Sequence, residues 1–204
     1  MKFAGASLLA LPVCFTAYGV IRFVGRLDGR YGPGPDWQAG HLVNLVGLLL
    51  VVPGLLALRR AMPPTAVREL AVVATLLGVV TAVVQFVVDV LAGLVASDRA
   101  GMNEFTGRFA DVPGVRPVFY VVGPPLLHVG LLVLTVVLVR AGTLAWWSPA
   151  LVLVGSALTI VSLDLIPVAG LCLLAALTPI ARLLGRDRAP VRGAHARRVG
   201  GLPY

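Results

Sequence analysis

The chain has 204 residues, of which 58% are hydrophobic and only 13% are charged. Soluble domains usually carry about 25% charged residues, and a mean hydropathy of +0.94 lies far from that balance. The composition therefore excludes a soluble globular domain, a disordered chain and a coiled coil. It predicts an all-α, polytopic membrane protein, but it does not by itself indicate a function.

The positive charges mark the ends of apolar segments. Arginine and lysine together number 17 against 9 acidic residues, yet most stand where a membrane span would begin or end, so nucleic acid is not a predicted partner. Lys2 is the only lysine, which leaves no residue for a buried Schiff base. Cys14 and Cys172 are isolated in apolar stretches, which argues against thiol redox chemistry and cysteine-bound metals.

Six apolar segments have the length and composition of transmembrane helices. A helix needs about 20 residues to cross a hydrocarbon core of about 30 Å. The Gly- and Pro-rich stretch RLDGRYGPGPDWQAG between the first two segments is predicted to be a loop. The predicted spans are approximately 3–24, 40–58, 69–96, 117–139, 146–163 and 165–184. Small residues within them are expected to allow close helix approach, namely Gly47, Gly78, Gly93, Gly130, Gly155 and Gly170.

The division of the last apolar stretch decides the number of spans. Residues 146–184 would form a helix of about 58 Å, which is too long for one crossing. We place a turn at SLDLIP, because Asp164 is unfavourable at the bilayer centre and Pro167 suits the first turn of a new helix. A bundle of five spans, with the amino terminus on the opposite side, remains the alternative.

Two segments outside the spans have distinct patterns. In residues 97–116, Met102, Phe105, Phe109 and Val112 recur at helical spacing among charged residues, which predicts an amphipathic helix at the membrane interface. Residues 185–204 form an arginine-rich tail, and the cation bias places it in the cytoplasm of a multi-pass plasma-membrane protein. The predicted partners of this tail are anionic lipid head groups of the bilayer, with a specific binding partner as the alternative.

Several polar residues lie within the predicted spans, where a charged group costs about 2.5 to 3.5 kcal/mol and is a functional hypothesis by default. Gln85 and Asp89 lie one turn apart on the same face of the third span. His128 in the fourth span is predicted to lie at a depth similar to that of Asp89. Because the two spans are consecutive and antiparallel, we expect Asp89 and His128 to face each other.

Other polar residues complete a candidate substrate-binding set with Gln85. His41 and Asn44 begin the second span, Tyr120 begins the fourth, and Asp164 lies at the predicted turn between the fifth and sixth. The alternative is that such contacts only join helices, since a polar contact between membrane helices contributes about 0.6 kcal/mol on average.

The pattern excludes several kinds of chemistry. His41 is predicted about 13 Å above His128, which is unsuitable for a bis-histidine haem, and Asp89 with His128 gives too few zinc ligands. The chain has neither a GxSxG elbow nor a phosphate-binding glycine loop. No metal and no cofactor are therefore predicted.

A carboxyl group in apolar surroundings can hold a proton near neutrality and exchange it with an imidazole. We therefore predict a membrane-embedded acid/base enzyme, similar in chemistry to an isomerase or cyclase, with an isoprenoid or lipid-like substrate and with Asp89 and His128 as catalytic residues. A small transporter or proton-coupled carrier, or a non-catalytic accessory subunit, is the alternative. The second half of the chain has no counterpart of QFVVD, which disfavours an internally duplicated carrier.

Overall fold

The computed structural model describes residues 2–27, 29 and 32–185, and the regular structure in this part of the chain is entirely helical. A π-helix at Arg116–Val122 leads directly into the fifth α-helix, and a short 3₁₀ turn at Leu163–Leu165 precedes the seventh. The α-helices are α1 (Lys2–Gly25), α2 (Pro35–Ala61), α3 (Ala66–Val95), α4 (Arg99–Ala110), α5 (Gly123–Arg140), α6 (Trp147–Val161) and α7 (Ile166–Gly185).

Five helical segments are long and apolar enough to cross a membrane: α1, α2, α3, the continuous segment Arg116–Arg140 and the segment Leu163–Gly185. The apolar helix α6 has 15 residues, or about 22 Å, and is shorter than a typical hydrocarbon core of about 30 Å. The predicted class, an all-α multi-pass membrane bundle, is confirmed. The structure is consistent with either five or six spans.

The apolar helices form a closed ring in chain order, and they are α1, α2, α3, α5, α6 and α7. Helix α1 packs against α2 and α7, α3 packs against α2 and α5, and α6 packs against α5 and α7. The interior is filled by aliphatic side chains from most of these helices, including Leu8, Leu55, Leu131, Leu134, Leu173 and Leu177.

The predicted turn in the last apolar stretch is present. Helix α6 ends at Val161, and the Ser162 hydroxyl then accepts a hydrogen bond of 3.1 Å from the backbone N–H of Asp164. Pro167 lies in the first turn of α7, as predicted. Gly155 packs against the backbone of Ala169, so α6 and α7 fold back on each other as an antiparallel hairpin.

The predicted loop between the first two spans is wrong in its second half. Helix α2 begins at Pro35 rather than near Gly40, because proline suits the first helical position and Asp36 adds a favourable negative charge in the first turn. As a consequence, His41 lies nearly two turns inside α2 instead of at its start.

Small residues allow the helices to approach closely, as predicted from the sequence. An added Cβ would lie less than 3.0 Å from an atom of a neighbouring helix at each of the six glycines named above. These are Gly47, Gly78, Gly93, Gly130, Gly155 and Gly170.

Helix α4 covers much of the predicted amphipathic segment. Asp98 caps it by accepting a hydrogen bond of 2.8 Å from the backbone N–H of Gly101, and Met102 is buried. Val112, the last residue of the predicted apolar stripe, lies beyond the end of α4 and is exposed. The location of α4 at a membrane surface remains a prediction, and the arginine-rich tail from residue 186 onwards lies outside the described residues.

Candidate functional site

The start of α5 sets the depth of His128. Pro124 and Pro125 have no N–H to donate to the carbonyls one turn before them, and the N–H of Gly123 instead bonds to Val118, five residues back. The chain therefore forms a π-helix up to the point where the prolines begin α5.

Two close contacts fix the register between α3 and α5. Gly123 lies against Thr81, and Gly78 lies against the backbone of Leu127. Because the helices are antiparallel, His128 is level with about Leu77. Asp89 lies twelve residues further along α3, or about 18 Å away along the helix axis.

The structure therefore does not bring Asp89 and His128 together. The prediction that Asp89 and His128 lie at a similar depth assumed that α3 ends at the level where the fourth span begins. In this register, α3 instead extends nearly two turns past the level of Arg116, where the π-helix begins.

Asp89 lies beside His41. Oδ2 of Asp89 is 3.8 Å from Nε2 of His41, and the exposed fractions of the two side chains are 32% and 4%. Nδ1 of His41 is 2.7 Å from the carbonyl oxygen of Trp37, which can only accept, so Nδ1 carries a hydrogen and donates it. This bond holds the ring with Nε2 towards the carboxyl group. At 3.8 Å the two atoms are beyond direct hydrogen-bond distance, so transfer of a proton between them requires the side chains to approach each other.

Aromatic rings surround the His41 imidazole. Trp37 stacks on it at a centroid distance of 4.1 Å, and the rings of Tyr18 and Phe86 lie at 5.2 Å and 5.4 Å. The indole N–H of Trp37 also donates to the backbone carbonyl of Asp89 at 2.9 Å, which joins α2 to α3 at this level. We call Tyr18, Trp37, His41, Phe86 and Asp89 the proton layer.

A partly open cavity of about 130 Å³ lies one turn deeper in the bundle than the proton layer. Asn44 follows His41 by one turn on α2, Gln85 precedes Asp89 by one turn on α3, and Phe86 belongs to both sites. We call this space the inner cavity. Its lining is otherwise mostly apolar, and the complete set is Leu11, Phe15, Asn44, Leu48, Ala82, Gln85, Phe86, Pro124, Leu127, His128 and Leu173.

His128 is held by Ser156 of α6. The Ser156 hydroxyl donates its one hydrogen to the carbonyl of Val152 at 2.7 Å, and its oxygen lies 3.0 Å from Nδ1 of His128. We assign Nδ1 as the donor in this pair, because the Ser156 hydroxyl hydrogen is then free to bond the Val152 carbonyl. In the neutral imidazole, Nε2 of His128 then carries a lone pair.

Two further predicted binding residues lie outside the inner cavity. Asp164 is in ion pairs with Arg22, at 2.8 Å, and with Arg26, which join the α6–α7 turn to the end of α1. Tyr120 is 39% exposed, and its ring centroid lies 6.5 Å from that of Phe109 on α4.

Sequence reasoning missed Trp37, Phe86 and Ser156, and it placed Tyr18 in the interface layer without assigning it to the site. The spacing of four residues between Trp37 and His41 would have indicated a shared helix face, but only if α2 had been started at Pro35. Ser156 is a single small polar residue in an apolar helix and gives no distinctive signal. In the described part of the chain, no group of three or more His, Cys, Asp or Glu side chains is placed to bind a metal ion.

Comparisons with family models, with curated proteins and with solved structures find no significant match to this chain. The fold itself defines the class, which is a helical, multi-pass membrane protein with five long apolar segments and a shorter apolar helix.

Proposed function

We propose that this protein is a membrane-embedded acid/base enzyme that isomerises or cyclises an isoprenoid or another lipid-like molecule. The observation that carries the proposal is the pairing of Asp89 with His41, next to a mostly apolar cavity. A carboxyl group and an imidazole are the side chains most often used to give and take protons in enzymes. An apolar pocket with a few polar groups is the usual form of a small-molecule site.

The pair can complete a proton-transfer cycle without a further reactant. The Asp89 carboxyl group adds its proton to one carbon of a carbon–carbon double bond, leaving a carboxylate and a carbocation. Nε2 of His41 then removes a proton from a carbon next to the cationic centre, which restores a double bond in a new position or, after ring closure, in a ring. Transfer of that proton from His41 to the Asp89 carboxylate returns both groups to their starting state.

The aromatic rings of the proton layer have a part in this cycle. The face of Phe86, which also lines the inner cavity, carries negative electrostatic potential that stabilises a nearby cation. The Trp37 ring instead stacks on His41 and lies under the guanidinium of Arg99, 5.2 Å from the ring centroid. The bond from His41 to the Trp37 carbonyl keeps Nε2 directed at Asp89 throughout. Asp89 is therefore assigned as the acid and His41, rather than His128, as its partner.

Incorporation of solvent deuterium tests this proposal and does not require the substrate to be identified first. The purified protein, reconstituted in bilayers, is incubated in D₂O with a membrane lipid extract, and the lipids are analysed by mass spectrometry. Wild-type protein is expected to introduce carbon-bound deuterium into one lipid class, because the Asp89 carboxyl group, whose side chain is 32% exposed, exchanges its acidic hydrogen with D₂O between turnovers. Asp89→Asn is expected to abolish the incorporation, since an amide cannot donate that proton.

Asp111→Asn is the matched control, because Asp111 is an exposed carboxylate that pairs with Arg116 at 3.1 Å. This variant is expected to incorporate deuterium as the wild type does. A carrier or an accessory subunit makes no carbon–hydrogen bond, so the absence of protein-dependent labelling in every lipid class would refute the enzyme proposal.

A further inference from the structure

The inner cavity contains hydrogen-bond acceptors that have no donor. Oδ1 of Asn44 is buried without a hydrogen-bond partner, and the residue as a whole is only 2% exposed. A buried polar group without a partner costs about 1–3 kcal/mol. Oδ1 of Asn44 is therefore an acceptor available to a molecule bound in the cavity.

His128 presents a second acceptor on the wall of the same cavity. With the Nδ1 hydrogen assigned to the contact with Ser156, Nε2 of the neutral ring has a free lone pair. Within residues 32–185, no hydrogen bond to this Nε2 is formed. Asn44 on α2 and His128 on α5 thus approach the cavity from two different helices.

The remaining surface of the cavity favours an apolar molecule. Apart from Asn44, Gln85 and His128, the lining side chains are aliphatic or aromatic. An apolar cavity of roughly 150 Å³ is large enough for benzene, so about 130 Å³ accommodates a short branched or unsaturated carbon unit. A longer chain would leave through the open side of the cavity.

We infer that the inner cavity binds a lipophilic alcohol, whose hydroxyl group donates a hydrogen bond to Oδ1 of Asn44 or Nε2 of His128 while its hydrocarbon chain fills the apolar space. The role of this alcohol as the substrate rests on the proposed function. Its binding in the inner cavity is independent of that function, because neither acceptor belongs to the proton layer.

Photolabelling tests the inference. The photoreactive alcohol 3-azioctanol is crosslinked to the bilayer-reconstituted protein, and the labelled peptides are identified by mass spectrometry. Labels are expected on the segments of α2, α3 and α5 that line the inner cavity. Competition by 1-octanol is expected to remove them, whereas 2-octanone, which has no hydroxyl donor, and octane are expected to compete about fivefold less well.

Asn44→Leu is expected to reduce cavity labelling about fivefold, because leucine has a similar volume but no acceptor. Asn103→Leu is the matched control, since Asn103 is exposed on α4 and should leave labelling unchanged. Equal competition by 2-octanone and 1-octanol, or labels spread over the lipid-facing surface in wild-type protein, would overturn the inference. These competition results need no variant to fold.

Asp89→Asn separates this inference from the proposed function. The variant is expected to retain octanol-sensitive labelling of the inner cavity although it has lost deuterium incorporation. If labelling is retained while even the wild type shows no incorporation, the alcohol site stands and the enzyme proposal fails. If incorporation is present but labelling is absent from the cavity, the alcohol site is wrong and the enzyme proposal stands.

Discussion

Replacing His41 by glutamine is expected to lower the maximal rate of deuterium incorporation about 10²- to 10⁴-fold, the usual contribution of a general acid or base. Glutamine retains hydrogen-bonding ability, but it cannot accept the proton that passes from substrate to Nε2. The substrate concentration at half-maximal rate should change little, because His41 is not part of the inner cavity lining.

His128→Gln is the matched comparison. His128 lines the inner cavity and does not contact Asp89, so its loss should raise the substrate concentration at half-maximal rate about three- to tenfold and leave the maximal rate nearly unchanged. For both variants, the rate of deuterium incorporation is measured in bilayers over a range of concentrations of the lipid that the wild type labels. A large loss of maximal rate in His128→Gln, with a small loss in His41→Gln, would contradict this assignment and favour His128 as the partner of Asp89.

Replacing Gly78 by valine is expected to destabilise the bundle by about 3 kcal/mol, near the upper end of the usual cost of overpacking. The added Cβ would meet the backbone N and Cα of Leu127, which no side-chain rotation can move away. Helices α3 and α5 would have to separate, and the inner cavity that they line would change shape. A decrease of roughly 6–12 °C in the thermal unfolding midpoint in detergent is expected.

Gly107→Ala provides the control for the Gly78 variant. Gly107 lies in α4, and an added Cβ there has no atom within 4 Å. Alanine favours a helix over glycine by up to about 1 kcal/mol, so this midpoint should stay the same or rise. If Gly78→Val unfolds at the same temperature as Gly107→Ala, the close packing of α3 on α5 is contradicted.

The features that could be predicted from the sequence are those that depend on local pattern. The lengths of the apolar segments predicted the helical membrane class, and Asp164 with Pro167 predicted the turn between α6 and α7. Both predictions depend on the cost of placing a particular group in hydrocarbon or in a helix. The glycine contacts were also predicted, since a residue without a side chain favours close approach wherever helices meet.

The pairing of polar residues was not predicted correctly, because it depends on the register between helices. The prediction began α2 five residues too late, which placed His41 too near the membrane surface. It also put the end of α3 at the depth where the fourth span begins, which placed His128 beside Asp89. One helical turn is about 5.4 Å, so an error of one or two turns is enough to exchange one partner for another. Nothing in the sequence reports that Gly123 lies against Thr81, and that contact sets the register.

The most direct test of this account is the ¹⁵N nuclear magnetic resonance spectrum of the histidine rings, recorded in bilayers for the wild type and for Asp89→Asn, with signals assigned from His41→Gln and His128→Gln. Asp89→Asn is expected to shift the Nε2 signal of His41, since Oδ2 of Asp89 lies 3.8 Å from that atom. The Nδ1 signal of His41, bonded to Trp37, should remain that of a protonated nitrogen, and both signals of His128 should be unchanged. A shift at His128 with none at His41 would contradict the assignment of Asp89 and His41 as the proton-exchanging pair.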